Sequence, residues 1–551
     1  MPSILSPGSD EEKNHLDVSP NSAEVFRSGK FLTMDSKNPR ASVVACLNGY
    51  ITYVGDDFKE ALATLPQEAA VVDLKGRNVI PGLIDSHAHI LHEGLKLSQL
   101  DLRGQGHDDV LEAVFEETKV RPKGEWIHGR GWDQTLWEGH KWPTRQELDK
   151  VSPDHPVVLD RTDNHSIWVN TLALEKANVN KNTKTPQAGE IGRQSDGSPS
   201  GVLIGKAIFL VYQAMPVYDG HQFDVLFQRS LKEMNGFGLT TVVDCATRAH
   251  QYPQIEEAVA KGAVKTRLKL YMTAEPWDDE FLSVGPRRNL YGGRLSVDGL
   301  KLFSDGSLGS RSAWLEQDYA DQPGHRGGHS YSDEALEEVL IKARDLGFQV
   351  AIHVIGDAAI AQAVKIMAKV LGVEKTNRNW RLEHYQLAGE KDREMVSGMG
   401  LIPSIQSVGI MTDLRMLEDR LGPERSLRSY AWREIIDWGG YVINGSDCPV
   451  ESPNPFLGIY AAITRQNLNW RPNGGFTVQN CLSRLEAIAS YTIWPAMAAF
   501  EEKRLGTITV GKFCDFAVLD RDILTCPERA IAATRVVVTV IGGELLRSSP
   551  D

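Results

Sequence analysis

Between residues 79 and 450 the chain carries eight short, apolar, β-branched runs, most of them separated by amphipathic helical stretches: VIPGLIDSHAHI, TTVVDCATR, RLKLYMTAE, GLKLFSDGS, QVAIHVIGD, WRLEHYQ, LIPSIQS and YVINGSDCPV. Strands that are almost continuously hydrophobic and alternate with helices belong to a parallel sheet buried on both faces. Eight of them predict a closed (β/α)8 barrel, a TIM barrel of the α/β class. The intervening helices are readable as well: SDEALEEVLIKARDLG and DAAIAQAVKIMAKVLG each end at a glycine, as a helix C-cap requires.

Two further features set the domain plan. Alternating, Gly-punctuated runs lie at both chain ends (VFRSGKFLTM, SVVACLNGYITYVG and AVVDLKGRNVI before the barrel, GTITVGKFCDFAVLD and TRVVVTVIGGELL after it), and they predict one small β-sandwich assembled from residues 23–78 and 503–551. The barrel domain is then 79–502. Its first and second strands stand roughly 150 residues apart, far more than a βα unit needs, so an insertion is expected at 104–225. Because it leaves from the C-terminal end of a barrel strand, it is expected to cover the mouth of the active site. The polar, acidic opening, residues 1–22, is expected to be a disordered tail and lacks the basic start and apolar run of a secretory signal.

Composition narrows the function. Lys and Arg number 60 against 73 Asp and Glu, a net charge of −13, which leaves no basic footprint for nucleic acid or anionic lipid. No run reaches the roughly 18 apolar residues that span a bilayer. Six scattered cysteines without a C-x-x-C pair argue against a disulfide scaffold or a zinc ribbon. A cytoplasmic enzyme acting on a small molecule is therefore expected, without nucleic-acid or membrane partners; a homodimer is compatible with this reading.

The chemistry sits at strand ends. The first barrel strand closes on His87-Ala88-His89, and residues two apart in a strand point the same way, so both imidazoles can reach one metal ion. Alone, H-x-H is a weak signal. Later strands, however, end in Lys301, His353, His384 and Asp447, and in this fold the C-terminal strand ends converge on the active site. Four of only 15 histidines at the ends of three strands favour a metal site over four unrelated hydrogen-bonded histidines.

The motifs PGLIDSHAHI, GRGWDQTLW, DNHSIWVN, KLFSDGSLGSRSAW, HVIGDAA, RLEHYQ, GSDCPVESPNP and GTITVGKFCDFAVLD resemble those of the amidohydrolase superfamily, specifically the YtcJ-like branch (amidohydrolase 3 type) that includes N-substituted formamide deformylases. The resemblance runs nearly the whole length. It implies that His87, His89, His353, His384 and Asp447 are ligands of one or two divalent metal ions, with zinc expected, and that Lys301 is carboxylated and bridges two metals. It further implies a metal-activated water that cuts a non-peptide carbon–nitrogen bond. Asp447 suits the proton transfers: a carboxylate beside metal and water can take the water's proton and hand it to the leaving nitrogen.

Residues that line the substrate site are expected to include His165, which can donate to a carbonyl or oxyanion, or else is a buried structural histidine. Trp132, Trp137 and Trp142 supply an apolar wall or a plain core. Asp305, Ser307 and Arg311 anchor the loop after Lys301, and Arg465 meets a substrate carboxylate or a helix end. One departure stands out: past the seventh strand, where relatives often carry a proline and then a histidine beyond the glutamine, this chain reads Ile405-Gln406-Ser407-Val408-Gly409, which implies a more apolar pocket. A decarboxylating lyase on the same barrel, or a non-catalytic binding protein, are the alternatives. The absence of H-E-x-x-H, G-x-S-x-G and G-x-G-x-x-G argues against zincin, serine hydrolase and dinucleotide chemistry.

Overall fold

A computed structural model describes residues 22–161, 166–186, 189–215, 220–274 and 278–547. It divides into two compact units, one made of the chain up to His92 together with the chain from Ser230 on, the other Glu93–Arg229.

The first unit is built on eight parallel strands: β1 (Leu83–Ala88), β2 (Leu239–Thr247), β3 (Arg267–Thr273), β4 (Leu295–Phe303), β5 (Gln349–Val354), β6 (Arg381–His384), β7 (Ile402–Ile405) and β8 (Ile443–Asn444). They are hydrogen-bonded in sequence order. An isolated parallel bridge between Ala88 and Cys448 joins the last strand's exit to the first strand and closes the barrel. The two helices read from sequence flank β5. Asp333–Leu346 starts on Ser332, whose hydroxyl accepts from the Ala335 amide, and ends on Gly347 at φ +83°. Asp357–Leu371 ends on Gly372 at φ +85°. Both glycines occupy the left-handed region that side chains avoid.

The run VIPGLIDSHAHI serves two sheets. Asn78–Pro81 pairs with Phe516–Leu519 in the sandwich, whereas Leu83 onward enters the barrel. Gly82 makes the junction, since a Cβ there would lie 2.3 Å from Thr240 Oγ1. The sandwich takes strands from both chain ends: a four-stranded sheet holds Ala23–Arg27 and Val43–Leu47, and a six-stranded sheet places Lys30–Leu32 and Asn78–Pro81 beside Phe516–Leu519, Val536–Ile541 and Glu544–Arg547. Phe26, Phe31, Val44, Val79, Phe516 and Val540 fill the space between the sheets.

The second unit has its own six-stranded sheet, in the order Gly189–Arg193, Pro199–Gly205, Ser166–Val169, Val157–Arg161, Ile127–Trp132, Leu100–Asp101. It extends beyond 104–225 at its start because Leu100–Asp101 pairs with Gly129–Arg130 as the sheet's edge. Its core contains Trp132, Trp137 and Trp168. No helix among the described residues is long and apolar enough to cross a membrane.

Candidate metal centre

The parallel register brings the C-terminal ends of β1, β4, β5 and β6 and the turn after β8 to one end of the barrel. His87 is fully buried. Its Nδ1 lies 2.5 Å from Glu383 Oε2, so Nδ1–H donates to the carboxylate and the lone pair resides on Nε2. That Nε2 faces Asp447 Oδ1 at 3.4 Å, and His89 Nε2 approaches the same oxygen at 3.1 Å. His384 Nδ1 lies 3.9 Å from Asp447 Oδ2. One donor atom each from His87, His384 and Asp447 falls within 4.8 Å of the others.

Two backbone features hold this geometry. His384 (φ +70°) and Asp447 (φ +56°) both sit in the left-handed region, a conformation worth about 1–3 kcal/mol of strain for a non-glycine residue and concentrated at functional sites. The Asp447 amide donates to His87 O at 2.7 Å and the His89 amide to Cys448 O at 2.9 Å, which ties the turn after β8 to the end of β1. Asp85 braces the same junction by accepting from the His87 amide (3.0 Å), the Ser446 amide (3.0 Å) and the Ser446 hydroxyl (2.6 Å).

Electrostatics favour a ligand-ready state. Burial, reinforced by Lys301, brings His87 down to about 4, and burial likewise takes His384 to about 3. Burial and the neighbouring His384 hold His353 well below its ordinary value. These imidazoles are neutral, the form that binds metal. Burial pushes Asp447 up, but His87, His89 and His384 around it outweigh this and keep it an anion. A carboxylate oxygen and an imidazole lone pair thus face each other at 3.4 Å. The donor set, neutral nitrogens plus one carboxylate, is that of a divalent transition-metal site.

Lys301 is 1% exposed, with Nζ 3.5 Å from His87 Nε2. It makes no ion pair with Asp305: that carboxylate instead accepts from the amides of Ile355 (3.0 Å), Gly356 (2.8 Å) and Trp314 (3.0 Å) and so clamps the loop after β4 onto the end of β5. His353 Nε2 donates to Gly306 O at 3.1 Å, which leaves Nδ1 as its ligand atom, and its ring packs edge-on against His384 at 4.3 Å between centroids.

Three residues considered for the substrate site take the structural alternative given for each: core, loop anchor and helix end. Trp132 is fully buried within the second unit's own core; its indole donates to Leu159 O at 2.8 Å and its ring stacks on Trp137, so it forms no wall of an open pocket. Arg311 spends its guanidinium on Asp321, with Nε at 3.0 Å and Nη2 at 2.8 Å. Arg465 caps the C-terminus of the helix Pro455–Thr464, the helix-end alternative, and is fully buried, donating to Phe476 O (2.6 Å), Tyr430 O (3.2 Å) and Thr477 Oγ1 (2.8 Å), two carbonyls and a hydroxyl that absorb the donors a substrate carboxylate would need. His165 lies outside the described residues.

Glu383 and Arg381 were not anticipated. Arg381 Nε donates to Glu383 Oε1 at 2.8 Å, and its Nη2 reaches Ser86 O at 2.5 Å and Ser404 Oγ at 3.1 Å. Guanidinium, carboxylate and imidazole form a buried chain that fixes the ring of His87. The signal was present: two opposite charges at i and i+2 inside an otherwise apolar strand share one face. Cys245 lies in the same throat, its sulfur within 4.8 Å of donor atoms of His87 and Glu383, and burial pushes its thiol up, so it is no thiolate.

The amidohydrolase family profile matches residues 70–547. The YtcJ protein of Bacillus subtilis (strain 168) is 31% identical over 534 residues, covering 95% of this chain and 99% of its own. An N-substituted formamide deformylase of Arthrobacter pascens is 26% identical over 535 residues, 93% of this chain and 96% of its own. Among solved structures, an uncharacterized metal-dependent hydrolase from Pyrococcus furiosus superposes with a TM-score of 0.77 at 26% identity, covering 91% of this chain and all of that one. With the match spanning most of the sequence and the ligand-type side chains gathered at the barrel's C-terminal end, the chain belongs to the amidohydrolase family.

Proposed function

We propose that this protein is a metal-dependent hydrolase that cleaves a non-peptide carbon–nitrogen bond, of the amide or formamide kind, in a small molecule. The observation that carries the reading is the convergence of the Asp447 carboxylate with the imidazoles of His87, His89 and His384. These residues, with His353, would hold one or two divalent ions; Lys301, buried against His87, would as the neutral amine add to carbon dioxide with loss of a proton and offer its carbamate as a further ligand. When bound, such an ion supplies Lewis-acid polarisation of a carbonyl and acidifies a water molecule.

The chain's own groups supply the rest. An amide nitrogen leaves only once protonated, and Asp447, an anion beside the imidazoles, would receive a proton from the attacking water on a carboxylate oxygen and deliver it to that nitrogen. Glu383 holds His87 in the tautomer that keeps Nε2 free for metal. The formamide chemistry named for the Arthrobacter pascens relative makes N-substituted formamides the first compounds to assay.

The test is elemental analysis of purified protein followed by a panel of formamides, amides, cyclic ureides and carbamates, with products identified. The expected result is stoichiometric divalent metal and release of an amine with formate or another carboxylate. Carbon dioxide without amine would point to a lyase instead, and a metal-free protein would sink the proposal.

A further inference from the structure

At the end of the barrel opposite the ligand cluster, a cavity of about 460 Å³ lies between the barrel and the sandwich; Tyr50, Lys265, Arg267, Arg294, Phe513 and Gly542 are among its lining residues. Arg267 opens β3 and Arg294 immediately precedes β4, so both belong to the N-terminal strand ends.

The charges at its floor do not balance. Arg267, 2% exposed, donates from Nε and Nη2 to Asp515 at 2.6 and 3.0 Å, and Lys265 pairs with Glu544 at 3.0 Å. Arg294 donates only to the Lys265 carbonyl, and among the described residues it has no ion pair. Three cations thus face two carboxylates. Burial, and then Arg267 beside it, bring Arg294 down to about 10. Asp515 and Glu544 act on it from beyond ion-pair distance, so a guanidinium largely withdrawn from water keeps donors that an arriving anion can satisfy.

Two guanidinium tips, Arg267 already paired with Asp515 and Arg294 unpaired among the described residues, approach Gly542, whose amide also donates to Asp515 at 2.8 Å. A Cβ placed on Gly542 would stand 3.2 Å from Arg294 Nη2 and 4.0 Å from Arg267 Nη2, so both guanidinium tips flank one point that only a glycine leaves open. Beside that point the rings of Tyr50 and Phe513 lie 5.1 Å apart, and Tyr50 is 43% exposed at the rim. The cavity falls within the size range of small-ligand sites, which pair apolar walls with a few convergent polar groups.

We propose that this cavity binds a small organic oxyanion, a carboxylate or phosphate carried on a flat ring, with the oxyanion beside Arg294 and Arg267 in the Gly542 cradle and the ring against the exposed Tyr50. Arginine forks suit both oxyanions. The test is calorimetric titration of the full-length protein, at low salt, with adenosine monophosphate, benzoate and inorganic phosphate. Saturable binding of at least one ringed probe is expected, tenfold or more tighter than inorganic phosphate, and the stronger of the two ringed probes tells phosphate from carboxylate. Arg294→Gln is expected to weaken it at least tenfold; Gly542→Ala, which fills the cradle and leaves both arginines in place, is expected to do the same and carries the test should Arg294→Gln fail to fold. His87→Ala is expected to leave this binding unchanged, which separates the cradle from anion capture at the metal centre. No saturable binding, inorganic phosphate binding as tightly as either ringed probe, an affinity unmoved in a folded cradle variant, or a signal lost in His87→Ala would each overturn the proposal.

Discussion

Glu383 and Asp447 act on His87 from opposite ends of its ring, one fixing Nδ1 at 2.5 Å and the other facing Nε2 at 3.4 Å, and the two carboxylates are expected to fail differently when neutralised. Glu383→Gln keeps the size but loses the anion that orients the ring and leaves Arg381 buried beside a neutral partner. Removing such a support typically weakens metal binding 10- to 100-fold. Competition with a chromophoric chelator measures this, and an unchanged affinity would remove Glu383 from the site. In Asp447→Asn an oxygen of similar size stays beside the metal, but the group no longer accepts the water's proton. General acid–base catalysis is worth about 10²- to 10⁴-fold, and one group serves both transfers here, so turnover is expected to fall by at least the upper figure. Metal content in the same preparation is expected to fall less than in His87→Ala. A variant that keeps most of its activity would assign the proton transfers to another residue.

Elements explain both what the sequence disclosed and what it withheld. Barrel strands and the side chains at their ends were legible because burial on both faces leaves a continuous apolar run, and because topology alone brings such strand ends together. Arg311 and Arg465 stayed open between substrate and structural roles for the opposite reason: both lie at positive φ (56° and 50°), where no periodicity says which way a side chain turns, and each is taken up by neighbouring polar groups, Asp321 for Arg311 and the Phe476 and Tyr430 carbonyls for Arg465. The second unit's sheet was missed because its short strands, such as Ser166–Val169, carry no long apolar signal. Two substitutions test the element-level account. A Cβ at Gly445 would stand 2.5 Å from the His87 amide nitrogen and 2.9 Å from His87 Cβ, so Gly445→Ala must push the exit of β8 away from β1. A cost of about 1–3 kcal/mol is expected from such overpacking, with loss of metal alongside the lowered Tm; a variant with native metal content would show that the junction yields freely. Trp132→Ala is expected to cost about 3–5 kcal/mol by opening a cavity in the second unit's core while leaving metal content intact. Native stability with altered substrate selectivity would restore Trp132 to a pocket wall.

Across the whole molecule, the burial that readies the imidazoles for metal also makes folding depend on pH. His87 and His384, brought down to about 4 and about 3, are unprotonated in the folded protein at pH values where an unfolded chain, with histidines near 6.5, binds protons. The unfolded state therefore binds more protons below pH 6.5, and stability falls as pH drops from there toward 4, by at most about 1.4 kcal/mol per pH unit for each such imidazole. Asp85 and Asp305, raised to about 6 by burial, act in the other direction: folded, they take up protons between pH 6 and 3.8 before the unfolded chain does, and they offset part of the loss. The imidazoles accordingly dominate from pH 6.5 to 6, and the decline slows below that. Proton competition for the folded protein's His87 and His384 begins only near pH 4, so neither ligand nitrogen is surrendered across the window in which stability is being lost. Acid is thus expected to release metal by unfolding the protein, not by protonating these two ligands within an intact fold. Metal release, read with a colorimetric chelator, and loss of near-ultraviolet circular dichroism should trace one curve between pH 7 and 4. Metal leaving at a higher pH than the loss of tertiary signal would show that a more exposed ligand gives way first, and would place the weak point of the site outside His87 and His384.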